Sequence, residues 1–254
     1  SHESVLLHEV IAGLDLRPGL TVLDGTLGDG GHARAIGEII GATGRLIGLD
    51  ADPKAVARAE KSLADLASAK IFRNGNFRDL DAHLSVLGID RLDRALLDLG
   101  LSSPQLADST RGFSFQTEGP LLMTFADSGT EGLNATRLVN ELPATDLADL
   151  IARYGEEGYA RRIAEVIVLA RRTAPILTTF QLVEIIAGAV PKGYRFGRKH
   201  FATKTFQALR IAVNDELGAL TDGLMAIWRH LNPAGRLAVI SFHSLEARLV
   251  KECF

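Results

Sequence analysis

Short apolar runs alternate with segments of helical periodicity along most of this chain, and that alternation limits the fold more than any other feature. Runs typical of buried strands occupy residues 20–24, 45–50, 70–75, 93–100 and 235–242. Apolar residues recur at helical spacing over 4–14, 32–40, 53–67, 77–88, 205–230 and 244–251. Strands that alternate with helices predict a parallel sheet with right-handed crossovers. The sequence therefore predicts the α/β class.

The alternation stops between residues 105 and 203. Three segments there have helical periodicity and none resembles a strand: 144–155, 157–172 and 178–190. We interpret this region as an all-helical domain inserted into the α/β domain. The predicted boundaries are 1–106 for the first part of the α/β domain, 107–203 for the insertion and 204–254 for the second part.

Composition narrows the class of protein. The chain has 254 residues, 46% of them hydrophobic, which is enough to bury a substantial core. No apolar run reaches the roughly 18 residues that a membrane span needs, and no signal-peptide pattern precedes the first helix. The single cysteine, Cys253, excludes an internal disulfide framework and is typical of a reducing compartment, so we expect a cytoplasmic protein. The seven histidines show no metal-ligand spacing, so no metal is expected.

The loop after the first predicted strand, DGTLGDGGH (24–32), is rich in glycine but acidic. It matches neither G-x-G-x-x-G nor the Walker A pattern, which argues against a nicotinamide-dependent dehydrogenase and a nucleotide triphosphatase. Asp24 and Asp29 would repel a pyrophosphate, which helix-terminus amides normally attract. S-adenosylmethionine has no phosphate and carries an ammonium, a sulfonium and one carboxylate. The loop therefore favours S-adenosylmethionine.

Asp50 ends the second predicted strand, about 20 residues after the glycines, where an acidic residue can accept both ribose hydroxyls of a nucleoside cofactor. A structural alternative stays open for these acidic residues. Asp24 and Asp29 would then cap the following helix, and Asp50 would begin a turn before Pro53.

Two further strand ends carry polar side chains. In DLGLSSPQ (98–105), Asp98 follows an apolar strand directly, and a simple turn does not explain an aspartate there. In ISFHSLE (240–246), His243 comes at the end of the last strand, although a structural histidine is the simpler interpretation for this residue alone. Ser244 is expected to cap the helix that follows.

These stretches resemble the bacterial small-subunit ribosomal RNA (cytosine-N4)-methyltransferase H family. The resembling segments, in family order, are HESVLLHEVI (2–11), DGTLGDGGHARAI (24–36), GLDADP (48–53), DLGLSSPQL (98–106), RGFSF (111–115), YGEEGYARRIA (154–164), KTFQALRIAVNDEL (204–217) and ISFHSLEARLVK (240–251). The resemblance implies a Rossmann-like methyltransferase that uses S-adenosylmethionine and methylates an exocyclic amine in the decoding region. By this resemblance the cofactor contacts fall on Gly30, Gly31, His32, Asp50, Phe77, Asp98 and Gln105.

The chemistry needs an acceptor for the amine protons. A cytosine amine is a poor nucleophile because its lone pair is delocalised into the ring. We expect Asp98 to accept a hydrogen bond from the amine and to aim its lone pair at the methyl group. Ser102 and Ser103 are expected to orient the base.

One segment carries the expected signal for RNA. Between Pro191 and Arg210 six residues are basic and none is acidic. The candidate substrate-binding residues are Arg195, Arg198, Lys199, Lys204 and Arg210, together with His243. Tyr194, Phe196 and Phe201 are interleaved with the cations, a pattern typical of single-strand binders. The alternative is a solvated loop whose aromatic side chains fold inward.

The expected partner is small-subunit ribosomal RNA in an assembled or late-assembling particle, and a homodimer is a further expectation. The sequence departs from the family after GPL, where Leu122 replaces an aspartate and Thr124 an arginine. A methyltransferase for another RNA or DNA amine therefore stays open, as does a cofactor-binding assembly factor without activity.

Overall fold

The structure is a computed structural model that describes residues 4–125 and 132–254. Its strands are β1 (Thr21–Asp24), β2 (Arg45–Asp50), β3 (Ala69–Asn74), β4 (Leu92–Asp98) and β5 (Leu231–Ile240). Its helices are α1 (Leu7–Leu14), α2 (Gly31–Ile40), α3 (Pro53–Ser62), α4 (Leu80–Leu87), α5 (Ser103–Ala107), α6 (Ala135–Glu141), α7 (Ala144–Gly155), α8 (Ala160–Ala170), α9 (Thr179–Ala189), α10 (Lys192–Arg195), α11 (Thr203–Asn214), α12 (Glu216–His230) and α13 (Ser244–Cys253). Short 3₁₀ helices cover Phe77–Asp79 and Ser109–Arg111. No helix of the described ranges has the length and apolar character to cross a bilayer.

The chain divides into two compact units. The first contains the described residues up to Gly100 and those from Leu217 onward, and the second runs from Leu101 to Glu216. The second unit is therefore wider than the predicted insertion of 107–203. It includes α11, which packs against α7 and so belongs with the helices rather than with the sheet.

The first unit is built on a five-stranded sheet of order β3-β2-β1-β4-β5 in which every pairing is parallel. The predicted parallel α/β sheet is confirmed. The chain moves outward from β1 through β2 to β3 and then returns to the other side of β1 with β4. This reversal places a crevice beyond the carboxyl ends of β1 and β4, where open α/β sheets bind ligands.

Alternate residues of the central strands fill two cores, one on each face of the sheet. Val22, Leu46 and Leu96 pack on the face covered by α1, α2 and α3. Leu23, Ile47 and Leu97 pack on the face covered by α4 and α12. All six are fully buried, and each contributes on the order of 1.5–3 kcal/mol by leaving water. The strand ends are therefore held rigidly.

The second unit is helical, and no strand forms within 101–125 and 132–216, as predicted. Its core includes Leu147, Ile151 and Ile163. Gly155 ends α7, where a Cβ atom would lie 2.5 Å from the carbonyl oxygen of Lys204. The close approach of α7 and α11 therefore requires glycine at this position.

The prediction of one long helix over 205–230 is wrong, because the helix is interrupted at Asp215. This residue has φ 45° and separates α11 from α12. The side chain of Asn214 donates to the carbonyl of Met123 at 2.7 Å and accepts from the amide of Phe125 at 2.8 Å. These bonds to a distant loop fix the end of α11 and compete with continuation of the helix.

The helix predicted over 53–67 ends early, at Ser62. Leu63 and Leu66 follow it in a turn and are buried. Their side chains pack where Gly30 and Gly37 leave space. Burial of these two leucines therefore decides where the helix ends.

Candidate active site at the carboxyl ends of the strands

Three carboxylates end three neighbouring strands of the sheet. Asp24 ends β1, Asp50 ends β2 and Asp98 ends β4. Since parallel strands present their carboxyl ends at one edge, the fold gathers three acidic groups that are far apart in sequence. A site with this charge selects a ligand that carries positive charge.

The glycine-rich loop is tied to the strand ends by its backbone. The amide of Gly25 donates to Leu96 and the amide of Leu27 donates to Leu49, each at 2.9 Å. Gly30 then starts α2 with φ 82°, and a Cβ atom there would lie 2.9 Å from the side chain of Leu63. Both restrictions favour glycine at this position.

Among residues 4–125 and 132–254, no side chain caps α2, so its first amide groups remain at the edge of the site. The alternative that Asp24 or Asp29 caps this helix is therefore wrong. Asp29 instead pairs with Arg58 on the surface, with Oδ1 2.7 Å from Nε. The acidic character of the loop at the site comes from Asp24.

Asp50 holds the loop and the next turn together. Its Oδ2 accepts the amide of Gly28 and its Oδ1 accepts the amide of Asp52, both at 2.8 Å. Burial raises its pKa. The proposed turn before Pro53 is present, but each carboxylate oxygen can accept a second hydrogen bond. The geometry therefore suits the two hydroxyls of a ribose as well.

Asp24 is the most deeply buried of the three, with 1% of its surface exposed. Its Oδ1 accepts the amide of Thr26 at 3.2 Å. Burial raises the pKa of Asp24 to about 7, with smaller contributions from the charges of Asp98 and Asp50. The group is thus poised to ionise near neutral pH when a cation approaches.

Asp98 lies beside a buried histidine. Its Oδ2 is 3.5 Å from Nδ1 of His32, and its amide donates to the hydroxyl of Thr26 at 2.6 Å. Burial, followed by the charge of Glu246, raises the pKa of Asp98 to about 6. Its Oδ1 is buried and finds no hydrogen-bond partner among the described residues. A buried acceptor of this kind indicates a place for a donor from outside the chain.

His243 has a structural role in the first unit. It caps α13, with Nδ1 3.4 Å from the amide of Glu246, and its Nε2 lies 3.1 Å from Oε1 of the same glutamate. Glu246 Oε2 in turn accepts the amide of Phe242 at 2.8 Å. The cap is therefore His243 and not Ser244 as predicted.

Phe77 lies next to the glycine loop. A Cβ atom on Gly25 would lie 3.4 Å from the Cβ atom of Phe77, and a Cβ atom on Gly223 of α12 would also clash with its ring. Two glycines thus make room for this ring at the end of β1. The cofactor contact that the family resemblance implies for Phe77 stays a prediction.

The other predicted catalytic and cofactor residues lie in the second unit. Ser102 and Gln105 form a capping box on α5, in which the amide of Ser102 donates to Oε1 of Gln105 at 2.9 Å. Gln105 is buried and Ser103 is exposed. The hydroxyl of Ser102 accepts the amide of Gln105 at 3.4 Å. These bonds order the turn that follows β4.

The predicted basic segment separates into two sets. Lys204 Nζ donates to the carbonyl of Glu156 at 2.8 Å, and Arg210 forms two hydrogen bonds to Glu216, at 2.7 and 2.9 Å. These two cations hold the fold of the second unit. The remaining cations make no ion pair with any described residue: Lys192, Arg195, Arg198 and Lys199.

Leu122 and Thr124, the two residues at which the sequence departs from the family, lie in a loop of the second unit. The amide of Leu122 donates to Pro120, and the carbonyl of Thr124 accepts from Nη2 of Arg111 at 2.9 Å. The same nitrogen donates to Phe125 at 2.6 Å. Residues 126–129, the end of the GPLLMTFADSG stretch, lie outside the described residues. Backbone groups, which any residue supplies, therefore fix the described part of this loop.

Two contributors to the site, Thr26 and Glu246, are not among the predicted site residues, although both lie within the strand-end motifs DGTLGDGGH and ISFHSLE. Thr26 binds both Asp24 and Asp98 through its amide and hydroxyl, and Glu246 acts on Asp98 by its charge. Thr26 lies within the glycine-rich loop 24–32, so its place in that motif could have identified it as a site residue. Nothing in the local sequence indicates that Glu246 is buried.

Comparison with known proteins identifies relatives of this chain along its whole length. A family model described as the MraW methylase family matches residues 1–254. The chain is 50% identical to a ribosomal RNA small subunit methyltransferase H of Pelobacter propionicus, covering 100% of this chain and 80% of that protein. It is also 50% identical to the protein of the same name from Deinococcus radiodurans, covering 99% of this chain and 77% of the relative.

Among solved structures, the chain resembles Aeropyrum pernix fibrillarin with bound S-adenosyl-L-methionine, at 17% identity and a TM-score of 0.33, over 45% of this chain and 51% of that one. The family match over the full length and the identity to curated relatives are far stronger than this likeness. The chain therefore belongs to the MraW methylase family, a family of methyltransferases that use S-adenosylmethionine.

Proposed function

We propose that this protein transfers a methyl group to the exocyclic N4 amine of a cytidine in the decoding region of small-subunit ribosomal RNA. The observation that carries the proposal is the 50% sequence identity, over the whole chain, to proteins named ribosomal RNA small subunit methyltransferase H. The N4 position and the decoding region come from the resemblance of the strand-end motifs to that family.

The first unit supplies the cofactor-binding residues in this proposal. Asp50 binds the ribose hydroxyls, and Phe77 offers an apolar surface beside the loop. The amides at the start of α2, at Gly31 and His32, which no described side chain caps, suit the carboxylate of the cofactor. The acidic groups of Asp24 and Asp98 suit its two positive charges. Gly30 permits the close approach of the loop.

Asp98 is the proposed catalytic residue. S-adenosylmethionine, when bound, would supply a methyl group on a sulfonium, and the bond from that methyl group to sulfur would break with its electron pair passing to the sulfur, which leaves as a neutral thioether. Asp98 accepts a hydrogen bond from the target amine, which holds the nitrogen lone pair toward the methyl carbon. As the N–C bond forms, the amine loses one proton, and the carboxylate of Asp98 is placed to take it.

His32 is the proposed positioning residue for Asp98. The Nε2 atom of His32 lies 3.0 Å from the carbonyl of Val5, which can only accept, so this nitrogen carries the proton. Nδ1 of the neutral ring then presents its lone pair to Asp98. A proton taken by Asp98 can be shared with Nδ1, which keeps the acceptor from being blocked after each turnover.

The second unit is the proposed substrate-recognition part. Ser102, Ser103 and Gln105 follow β4 directly and are proposed to orient the base and the cofactor. Arg195, Arg198 and Lys199 are proposed to contact phosphates. Lys204, Arg210 and His243 are bound within the protein, so their contribution is to hold the binding surface in place.

The site of action in this proposal is the bacterial cytoplasm, on a small subunit that is assembled or nearly so. The net charge of −3 supports an assembled particle, rather than naked RNA, as the substrate, because a weakly acidic protein gains little electrostatic attraction from a bare polyanion. We also propose that the protein acts as a homodimer, which sedimentation tests directly.

Mass spectrometry of ribosomal RNA from cells with and without this protein tests the proposal. An N4-methylated cytidine in small-subunit RNA is expected to disappear in its absence and to return with the wild-type gene but not with Asp98→Asn. Loss of a methyl group from a different base would instead support the alternative of another RNA amine. Unchanged methylation, together with binding of S-adenosylmethionine by the pure protein, would support an assembly factor without activity.

A further inference from the structure

Three aromatic residues of the basic segment, Tyr194, Phe196 and Phe201, do not share one environment. Tyr194 is turned inward: its hydroxyl donates to Oε2 of Glu157 at 2.7 Å and its ring packs edge-on against Tyr159 at 5.0 Å. Burial, followed by Glu157, raises the pKa of Tyr194 to about 12. These contacts hold the partly buried Tyr194 in the fold of the second unit.

Phe201 is also committed within the protein. Its ring lies 4.2 Å from that of His200, which stacks on Phe115 at 4.4 Å with the two planes 6° apart. Phe115 in turn meets Phe206 edge-on at 5.6 Å. This row of rings anchors the end of the basic segment to the helical core.

Phe196 is different, because 88% of its surface is exposed. It follows the short helix α10, and no aromatic contact involves it among the described residues. A single exposed apolar side chain is common in proteins. The setting of this one is uncommon, since a ring of this size lies among cations.

Four cations surround Phe196 in sequence, within four residues on either side: Lys192, Arg195, Arg198 and Lys199. Lys192, Arg198 and Lys199 are exposed and Arg195 is half-buried. No acidic residue occurs between Glu184 and Asp215. In the described structure, no carboxylate lies within ion-pair distance of these four cations. This charge is complementary to a phosphate backbone.

We propose that Phe196 is a stacking platform for an unpaired base of the RNA substrate, and that the four cations bind the phosphates on either side of that base. The proposal rests on the function proposed above and names the residue that receives the RNA. Single-strand binders combine aromatic rings with a positively charged track in this way. A duplex offers no unstacked base, so the platform selects a strand that is single or locally opened.

Three variants test the platform in the full-length protein. Phe196→Ala removes the ring, Phe196→Trp keeps it, and Phe180→Ala is a control that removes another exposed phenylalanine of the same unit, on α9 and 41% exposed. The substrate is the small ribosomal subunit without the methyl group, and the readouts are KM for subunits and the affinity for S-adenosylmethionine. Phe196→Ala is expected to raise KM about tenfold, whereas Phe196→Trp and Phe180→Ala stay near wild type.

A spectroscopic readout separates stacking from a structural effect. In Phe196→Trp, single-stranded RNA is expected to quench the added tryptophan emission, whereas a duplex of the same sequence is not. The salt dependence of RNA binding is expected to be the same in Phe196→Ala and wild type, because no charge is removed.

Several results would contradict the proposed stacking role of Phe196. These are a wild-type KM for subunits in Phe196→Ala, an increase in KM in Phe196→Trp equal to that in Phe196→Ala, and quenching of the added tryptophan by duplex RNA equal to that by single-stranded RNA. If Phe196→Ala changed sedimentation instead of KM, the ring would belong to an interface between copies of this chain. Failure of the wild-type protein to methylate any subunit would count against the proposed function. Quenching by single strands would still support the platform in that case.

Discussion

His32, which is buried, pairs with Asp98, which is about one quarter exposed, with Nδ1 of the histidine 3.5 Å from Oδ2 of the aspartate. The other ring nitrogen faces the carbonyl of Val5 at 3.0 Å, which fixes the tautomer of the neutral ring. Burial lowers the pKa of His32 and raises that of Asp98 to about 6. An acceptor lone pair therefore faces a carboxyl group that holds a proton easily, and this pairing underlies the first prediction.

Asp98→Asn is expected to lower kcat about 100-fold or more, because the amide can present a donor where the target amine needs an acceptor. Cofactor affinity should fall less than kcat. Single-turnover methylation at saturating cofactor and RNA measures the chemical step directly. A near-normal single-turnover rate would remove Asp98 from the mechanism and shift attention to Ser102 and Ser103.

Asp50→Ala is expected to weaken S-adenosylmethionine binding by a factor of about 10 to 100, equivalent to roughly 1.5–3 kcal/mol for charge-assisted hydrogen bonds. Calorimetry measures the affinity. Because Asp50 also accepts the amides of Gly28 and Asp52, Asp50→Asn is the matched variant that keeps one acceptor oxygen. Affinity unchanged in a folded Asp50→Ala protein would refute the ribose assignment.

Cofactor binding is expected to release protons between about pH 5.5 and 7.5. The pKa of Asp24 is raised to about 7 and that of Asp98 to about 6 in the protein alone, and a positively charged ligand favours the ionised forms. Affinity should therefore rise as the pH rises through 6 and 7 and then level off. Calorimetry in two buffers of different ionisation enthalpy gives the number of protons released.

Asp24→Asn is the control for that pH dependence and should reduce the number of protons released. It also has an effect on stability. The folded-state pKa of Asp24 is raised from the ordinary value of 3.8 to about 7, so its contribution to stability is fully present below about pH 4 and is lost progressively as the pH rises to about 7. The cofactor-free variant should therefore gain more Tm relative to wild type at pH 8 than at pH 5. An equal shift at both pH values would contradict the raised pKa.

Replacing Arg195, Arg198 and Lys199 together with alanine is expected to raise KM for the RNA substrate. The slope of log affinity against log salt should flatten by about 2, since each phosphate contact to a single strand contributes about 0.7. Cofactor affinity should not change. The matched control replaces three exposed arginines elsewhere in the same unit, Arg161, Arg162 and Arg172. An equal loss in both triple variants would mean that general charge, not this segment, binds RNA.

Arg210→Ala is expected to destabilise the protein by roughly 2–4 kcal/mol, because it leaves the largely buried Glu216 carboxylate without its bidentate partner. The two side chains are 14% and 12% exposed. Urea unfolding measures the loss, and Glu216→Gln should cost less because its amide oxygen still accepts from the guanidinium. If Arg210→Ala were as stable as wild type and its RNA affinity depended less steeply on salt, Arg210 would instead belong to the RNA-binding surface.

The sequence by itself determined the sheet and the edge at which the site lies. Apolar runs that end in Asp24, Asp50 and Asp98 indicate parallel strands, and parallel strands bring those ends together whatever the intervening helices contain. The glycine loop, with its acidic start, indicated the class of cofactor for the same reason. These features are local, so periodicity and residue type are sufficient to read them.

Tertiary structure decided which of the candidate residues are available for function. Arg195 and Arg210 have the same side chain, yet among the described residues only the second is paired with a carboxylate, and Phe196 is exposed where Tyr194 is partly buried. Likewise, the pKa of Asp98 depends on Glu246, which is 148 residues away along the chain and reaches the site only because β5 lies beside β4. Exposure, charge pairing and desolvation depend on long-range contacts, which no local pattern of residues records.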